Sequence, residues 1–269
     1  MSFQLTTTTI KVEGTQGNIL FTNLHIHQEL ADVNSFSFHW RQKEGEAKLS
    51  DHVDFYKKNL SKVVQINVNK DFVFKGLIYS INCSNQDALG VEYEITGKGL
   101  YVQMDEVKEC NSFIKKPLTT IFNEINSVKG APLKLNPNSK ESLFYTVQYN
   151  QTNFEFLCML ATRYGEWFYY TGSEMILGKP SGDAITLKAD QDVFDVEINA
   201  KLVRSSPQLS GFDHFKGEKI LNKENGSPKA SGFLEAAMKA SDSAFGKSQE
   251  NSHVAQAATP DIMKSMTKL

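Results

Sequence analysis

The chain has 269 residues, of which 40% are hydrophobic and 11% aromatic, enough apolar material for the core of one large domain or two ordinary ones. Lys plus Arg number 29 against 31 Asp plus Glu, a net charge of −2, so a nucleic-acid binder with a basic excess is disfavoured and no nucleic-acid partner is expected. No apolar run is long enough for a membrane-spanning helix, so no direct membrane span is expected.

Met1-Ser2-Phe3-Gln4-Leu5 and the four threonines after them lack the basic and apolar regions of a secretory signal, so cytoplasmic synthesis is expected. Cys83, Cys110 and Cys158 are odd in number and far apart, which speaks against a disulfide framework and for folding in a reducing compartment.

Strands are expected over 18–27 and 35–41. A helix is expected over about 51–59, with Leu49, Val53, Tyr56 and Leu60 at helical spacing. Val64, Ile66 and Val68 then alternate with polar residues, a strand follows over 72–82, and Val91, Tyr93 and Ile95 alternate again. Period-two patterning means strands with one buried and one wet face, which favours antiparallel sheets or barrels. A second helix starts at Pro117, carries Leu118, Ile121, Phe122, Ile125 and Val128 on one face, and stops at Gly130. After a strand over 143–149, Thr152 and Glu155 form a T-x-x-E capping box for a third helix. Its apolar face is Phe156, Leu157, Leu160 and Tyr164, and Gly165 ends it.

Strands over 166–171 and 174–178 flank a hairpin turn at Thr171-Gly172-Ser173-Glu174. Further strands are expected over 184–188 and along Phe194, Val196, Ile198, Ala200 and Leu202. Only two of the Phe, Trp and Tyr residues, Phe233 and Phe245, follow Phe215, which marks a boundary near residue 216. The Ala/Ser/Lys-rich tail carries a thin stripe of Phe233, Ala237, Ala240 and Ala244 with Leu234, Met238 and Phe245 beside it. This reads as a marginal amphipathic helix that needs a partner surface, with disorder or a linker beyond about 246.

Catalytic chemistry is hard to find. His25 and His27 share a strand face and would need more ligands to hold a metal; a half-exposed strand face is the competing reading, and no metal is assigned. Nucleophile motifs, dinucleotide-binding glycines and a Walker A loop are absent, so no catalytic residue and no cofactor is assigned. Cys158 reads as a small core hydrophobe. The carboxylate pairs Glu92 with Glu94 and Asp195 with Glu197 sit on the polar faces of alternating strands. The aromatic run Trp167-Phe168-Tyr169-Tyr170 either packs in a core or forms a stacking face for a sugar. A β-rich chain without a site reads as an assembly component rather than an enzyme. The competing reading is a carbohydrate- or peptidoglycan-acting enzyme or binding module that uses the aromatic face.

The segment over 148–178 carries a resemblance. It reads Gln148-Tyr149-Asn150-Gln151-Thr152-Asn153-Phe154-Glu155-Phe156-Leu157, then Leu160-Ala161, then Tyr164-Gly165-Glu166-Trp167-Phe168-Tyr169-Tyr170. This pattern is similar to that of VgrG, the spike protein of type VI secretion systems, which itself resembles the tail hubs of contractile phages. Phe74-Lys75-Gly76-Leu77-Ile78 resembles the family's F/Y-x-G-x-I/V strand, and the helix over 117–130 and the strand after it follow in the family's order. The style is similar to a Bacteroidetes-type member.

The resemblance implies a mainly β fold with a few helices. Two Hcp-like antiparallel β-barrel tube domains are separated by an α+β domain. Residues 1–95 would form the first tube domain, 96–185 the intervening domain and 186–215 the start of a second, incomplete tube domain, with 216–269 as the tail. It implies a homotrimer that caps an Hcp-like tube, contacts baseplate proteins and delivers secreted effectors. Such a part is assembled in the cytoplasm and ejected through the machine. Asp195, Glu197, Asn199 and Lys201 would face the lumen or a neighbouring subunit. The chain reaches Leu269 without an OB-like domain or β-helical needle. It therefore reads as a partial sequence or a short relative, and a PAAR-like tip would connect only through the missing spike. A contractile phage tail hub shares the architecture.

Overall fold

A computed structural model describes residues 6–43, 48–69, 72–87, 90–126, 131–180, 186–188, 197, 199, 201–202, 207–213, 217–221, 232–245 and 250–253. Among the described residues strands dominate, with four α-helices. The first 99 residues build one antiparallel sheet from β1 (Thr8–Val12), β2 (Phe21–His27), β3 (Ser35–Lys43), β4 (Val63–Val68), β5 (Phe72–Asp87) and β6 (Gly90–Gly99), in the order β1-β4-β5-β6-β3-β2. Alternation puts Ile10, Phe36, Phe38, Val64, Ile66, Phe74, Val91, Tyr93 and Ile95 on one buried face. Two irregularities in the β5–β6 register curl the sheet. The curl brings its edges together at one point, where the Ile19 N–H donates to the Ile10 carbonyl over 2.9 Å. Gly97 is required by the interior, because a Cβ there would run into the Phe36 ring.

Helix α1 (Leu49–Asn59) covers part of this interior with Tyr56 of the face its spacing predicts and with His52 and Phe55 beside it. Phe55 stacks on Tyr93 at 3.9 Å and meets Trp40 edge-on at 5.1 Å. His52 Nδ1 hydrogen-bonds the Tyr93 hydroxyl at 2.9 Å. Leu49, Val53 and Leu60 remain exposed. The rings on the sheet are flat and large, so aromatic contacts orient the helix more strongly than three aliphatic side chains.

A short 3₁₀ turn, Leu100–Met104, leads into the second region. It comprises β7 (Lys108–Pro117), α2 (Leu118–Asn126), β8 (Leu133–Asn136), β9 (Ser142–Thr152), α3 (Asn153–Arg163), β10 (Phe168–Tyr170) and β11 (Met175–Gly178). β7 and β9 form a long two-stranded antiparallel ribbon, while β10, β11 and β8 form a small sheet with β8 parallel to β11. Leu118, Ile121 and Phe122 of α2 and Phe156, Leu157 and Leu160 of α3 join a core continuous with that of the first sheet.

Farther on, β12 (Pro207–Asp213) pairs with β13 (Glu218–Leu221) and with β14 (Glu250–His253), and α4 (Phe233–Phe245) lies between β13 and β14 in the chain. The tail helix thus forms where its stripe predicts it. The expectation of disorder or a linker beyond 246 is corrected at Glu250–His253, whose polar sequence has no alternation and is held by main-chain pairing to β12. The strand expected over 194–202 lies mostly outside the described residues. Residues 186–188, 197, 199, 201 and 202 are described and are not in strands. Among the described residues no helix is long and apolar enough to cross a membrane.

Candidate assembly surface

The strand-to-helix corner of the signature segment is fixed by polar groups. The Gln148 side chain is fully buried. Its Oε1 accepts from Asn111 Nδ2 at 2.9 Å, and its Nε2 donates to the Gln151 carbonyl at 3.0 Å and to Asn153 Oδ1 at 2.9 Å. Both halves of the expected capping box are present: Thr152 Oγ1 accepts from the Glu155 N–H at 3.1 Å, and the Thr152 N–H donates to Glu155 Oε2 at 2.9 Å. The Thr152 hydroxyl also donates to Asp105 Oδ1 at 2.9 Å, tying the cap to the 3₁₀ turn. Phe154, Phe156, Leu157, Leu160 and Tyr164 are buried. Gly165, at φ 68°, closes α3 with its own N–H bonded to Thr162 and the Glu166 N–H bonded to Ala161.

The aromatic run divides by faces. Phe168 and Tyr170 are buried, whereas Trp167 is exposed and Tyr169 half-buried. The hairpin turn docks on the first sheet through Gly172, and the Tyr170 hydroxyl donates to the Lys75 carbonyl at 2.8 Å. Two of the four rings therefore do core work, and they join the two regions.

An exposed apolar strip lies on the β7–β9 ribbon. Its register places Cys110 opposite Tyr149, Ser112 opposite Val147 and Ile114 opposite Tyr145. All six point away from the core, with Tyr149 76% exposed and Ile114 61% exposed. Lys115 takes a left-handed backbone at φ 51°, and Phe144 is exposed as well. No third strand among the described residues pairs with the ribbon. An exposed apolar strip of this kind is a candidate surface for contact with another protein. Sequence reasoning missed β7, and with it the strip, because the outward residues of β7 are Cys, Ser and Ile, a weak alternation.

The remaining candidates do not converge. His25 and His27 are both exposed on β2, and His27 lies 3.4 Å from Glu29. No group of three or more His, Cys, Asp or Glu side chains gathers among the described residues. Glu92 and Glu94 lie opposite Arg41 and His39 on the outer face, and His39 is 3.4 Å from Glu92. Asp195 lies outside the described residues; Glu197, Asn199 and Lys201 are exposed, and Asn199 Nδ2 donates to Glu197 at 2.8 Å. Burial pushes the Cys158 thiol up to about 12, the opposite of an activated nucleophile. Burial likewise raises the Tyr93 hydroxyl to about 12.

No protein-family profile matches the sequence, and no curated protein matches it. Solved structures do share its fold. A 43 kDa tail protein of prophage MuSo2 from Shewanella oneidensis is similar over 97% of this chain and 76% of its own, with a TM-score of 0.61 and 12% identity. The tail protein from Neisseria meningitidis MC58 is similar over 98% of this chain and 75% of its own, with a TM-score of 0.60 and 11% identity. The E. coli c3393 protein is described as a type VI secretion component with structural similarity to the T4 tail proteins gp27 and gp5. It matches 63% of this chain and 48% of its own, with a TM-score of 0.52 and 12% identity. At these identities the likeness is one of fold: that of phage tail proteins and of a tail-like secretion component.

Proposed function

We propose that this chain is a structural hub or spike component of a contractile injection machine, VgrG-like in a type VI secretion system. The observation that carries this reading is the tail-protein fold, shared along almost the whole chain with the prophage MuSo2 and Neisseria meningitidis tail proteins. The apolar strip on the ribbon supports it, because an assembly part exposes such surface to partners. In this reading residues 1–95 are the first tube domain and 96–185 the intervening domain. Residues 186–215 begin the second tube domain, and 216–269 form the tail. Three copies cap an Hcp-like tube, with Asp195, Glu197, Asn199 and Lys201 toward the lumen or a neighbour. The trimer contacts baseplate proteins, carries effectors, and leaves the cell through the machine without acting as an enzyme. A trimer with two similar surfaces per subunit matches a sixfold tube by symmetry.

The test is the native mass by light scattering, alone and with purified Hcp rings. A mass near three times the 30.2 kDa chain, and co-elution with the ring, supports the reading. A monomer that ignores the ring refutes it. The second reading, a contractile phage tail hub, is favoured by the likeness to a prophage tail protein over 97% of this chain. A chain that binds a phage tail-tube protein in preference to Hcp supports that alternative.

A further inference from the structure

Among the described residues β9 pairs with β7 on one side and with no strand on the other. Edge strands are ordinarily guarded by charges, proline or bulges against pairing with another chain. β7 carries such guards in Lys108, Glu109, Lys115, Lys116 and Pro117. β9 has neither a charged residue nor a proline along its eleven residues. Its register with β7 shifts only beyond Tyr149, so the run before that point is regular.

The residues of this edge select the occupant. Tyr145-Thr146-Val147-Gln148-Tyr149 has the same pattern read in either direction, with Tyr, Val and Tyr exposed on the outer face and Thr and Gln buried on the inner one. Two identical strands that pair antiparallel are related by a twofold axis, so each residue meets its mirror position. An axis at Val147 sets Val147 opposite its own counterpart, Tyr145 opposite Tyr149 and Thr146 opposite Gln148. Aromatic pairs directly across an antiparallel ladder are stabilising and like charges are destabilising; no charged residue enters this pairing. Thr146 gives an independent indication. It is only 3% exposed, and its Oγ1 has no hydrogen-bond partner among the described residues. A buried hydroxyl left in that state is unfavourable, and the pairing sets a polar side chain, Gln148, opposite it.

We propose that β9 is an interface for a second copy of this chain, joined edge to edge about a twofold axis at Val147. The two ribbons become one four-stranded sheet, and their apolar strips become continuous. The contact is independent of the threefold assembly proposed above and joins two chains or two trimers alike. Five paired residues make a small interface, so the association depends on concentration.

The test uses the full chain. Light scattering should show the mean mass rising toward twice its dilute value between about 1 µM and 1 mM. For cross-linking, the exposed Cys83 and Cys110 are first replaced by serine, and half-buried Cys158 is kept. Val147→Cys should then link to its own counterpart through a short bismaleimide at least about fivefold faster than Ser112→Cys, which lies one strand farther from the axis. Tyr145→Cys and Tyr149→Cys chains should link to each other when mixed and not to themselves, which tests the register without Val147→Cys if that variant does not fold. Tyr145→Lys with Tyr149→Lys should abolish the rise in mass, and Tyr145→Glu with Tyr149→Lys should restore it at low salt. A mass that stays constant, whether of monomer or of trimer, overturns the twofold contact and leaves the proposed function to its own test. Equal rates for Val147→Cys and Ser112→Cys, or a mixture no faster than its parts, overturn it as well; the edge would then belong to another protein or to a segment of the same chain.

Discussion

The main-chain N–H of Lys75 donates to the carbonyl oxygen of Gly172 over 2.6 Å. Lys75 lies on β5 just beyond the last residue that β6 reaches, since that pairing ends at Gly76 opposite Gly99. Both main-chain groups of Lys75 would otherwise lack partners on that side. The hairpin tip satisfies them, taking the N–H through Gly172 and the carbonyl through the Tyr170 hydroxyl. Phe74 then meets Tyr170 edge-on at 5.9 Å.

Gly172→Ala should undock this hairpin. Gly172 sits at φ 101°, and a Cβ there would strike the Val73 carbonyl oxygen. The expected loss is about 1–3 kcal/mol in urea unfolding. Tyr170→Phe keeps the ring and loses only the hydroxyl bond, so it should cost about 1 kcal/mol. A tyrosine variant as damaging as the glycine variant would show that the hydroxyl, not the backbone approach, holds the two regions together.

Thr152→Ala removes the cap of α3 and the bond to Asp105 at once, and should cost about 1–2 kcal/mol. Thr152→Ser should recover most of that loss, because the hydroxyl serves both partners. The comparison is made by chemical denaturation under identical buffer conditions.

Replacing Tyr149 and Ile114 together by serine should leave the unfolding midpoint of the isolated chain nearly unchanged, since both side chains project from the ribbon. If the ribbon forms contacts between subunits or with the tube, the native mass or ring binding should fall. Unchanged assembly would free the strip from that role.

Glu166→Gln should raise stability near neutral pH, because the amide keeps an acceptor for Ser139 without the cost of a buried charge. The sign follows from the raised pKa. The folded state holds the proton of Glu166 more tightly than the unfolded chain. The associated stability is present below the ordinary glutamate value and is lost as pH rises through the higher folded value. The gap between variant and wild type should therefore narrow as pH falls through the raised folded value and be closed below about 4.3, where both states carry the proton. Thermal melts across this range decide it.

Thiol labelling should separate the cysteines. Cys83 and Cys110 are exposed, whereas burial holds the Cys158 thiol near 12. Iodoacetamide at mildly alkaline pH should modify the first two well before Cys158, as read by peptide mass spectrometry.

Local order was legible in the sequence wherever a few neighbouring residues contain the whole argument. The cap of α3 needs only Thr152, Glu155 and the apolar residues after them, and the turn at 171–174 needs only its own four residues. The alternations over 64–68 and 91–95 likewise name their buried faces without naming their partners. Even the tail helix over 233–245 is visible as a thin stripe.

Tertiary structure decided the rest, because the deciding partner is distant in the chain. Leu49, Val53, Tyr56 and Leu60 have helical spacing, but of these Tyr56 packs on Tyr93 while the three aliphatic side chains stay exposed, and Phe55 and His52 supply the rest of the buried side of α1. Gln148 looks like any polar strand residue until Asn111 and Asn153 enclose it. Glu250–His253 has no strand pattern, and pairing with β12 alone makes it one. The ribbon's apolar strip arises the same way, from residues that become neighbours only when separate strands are paired. Propensity and patterning act over a few residues, whereas burial and pairing depend on what the fold brings alongside.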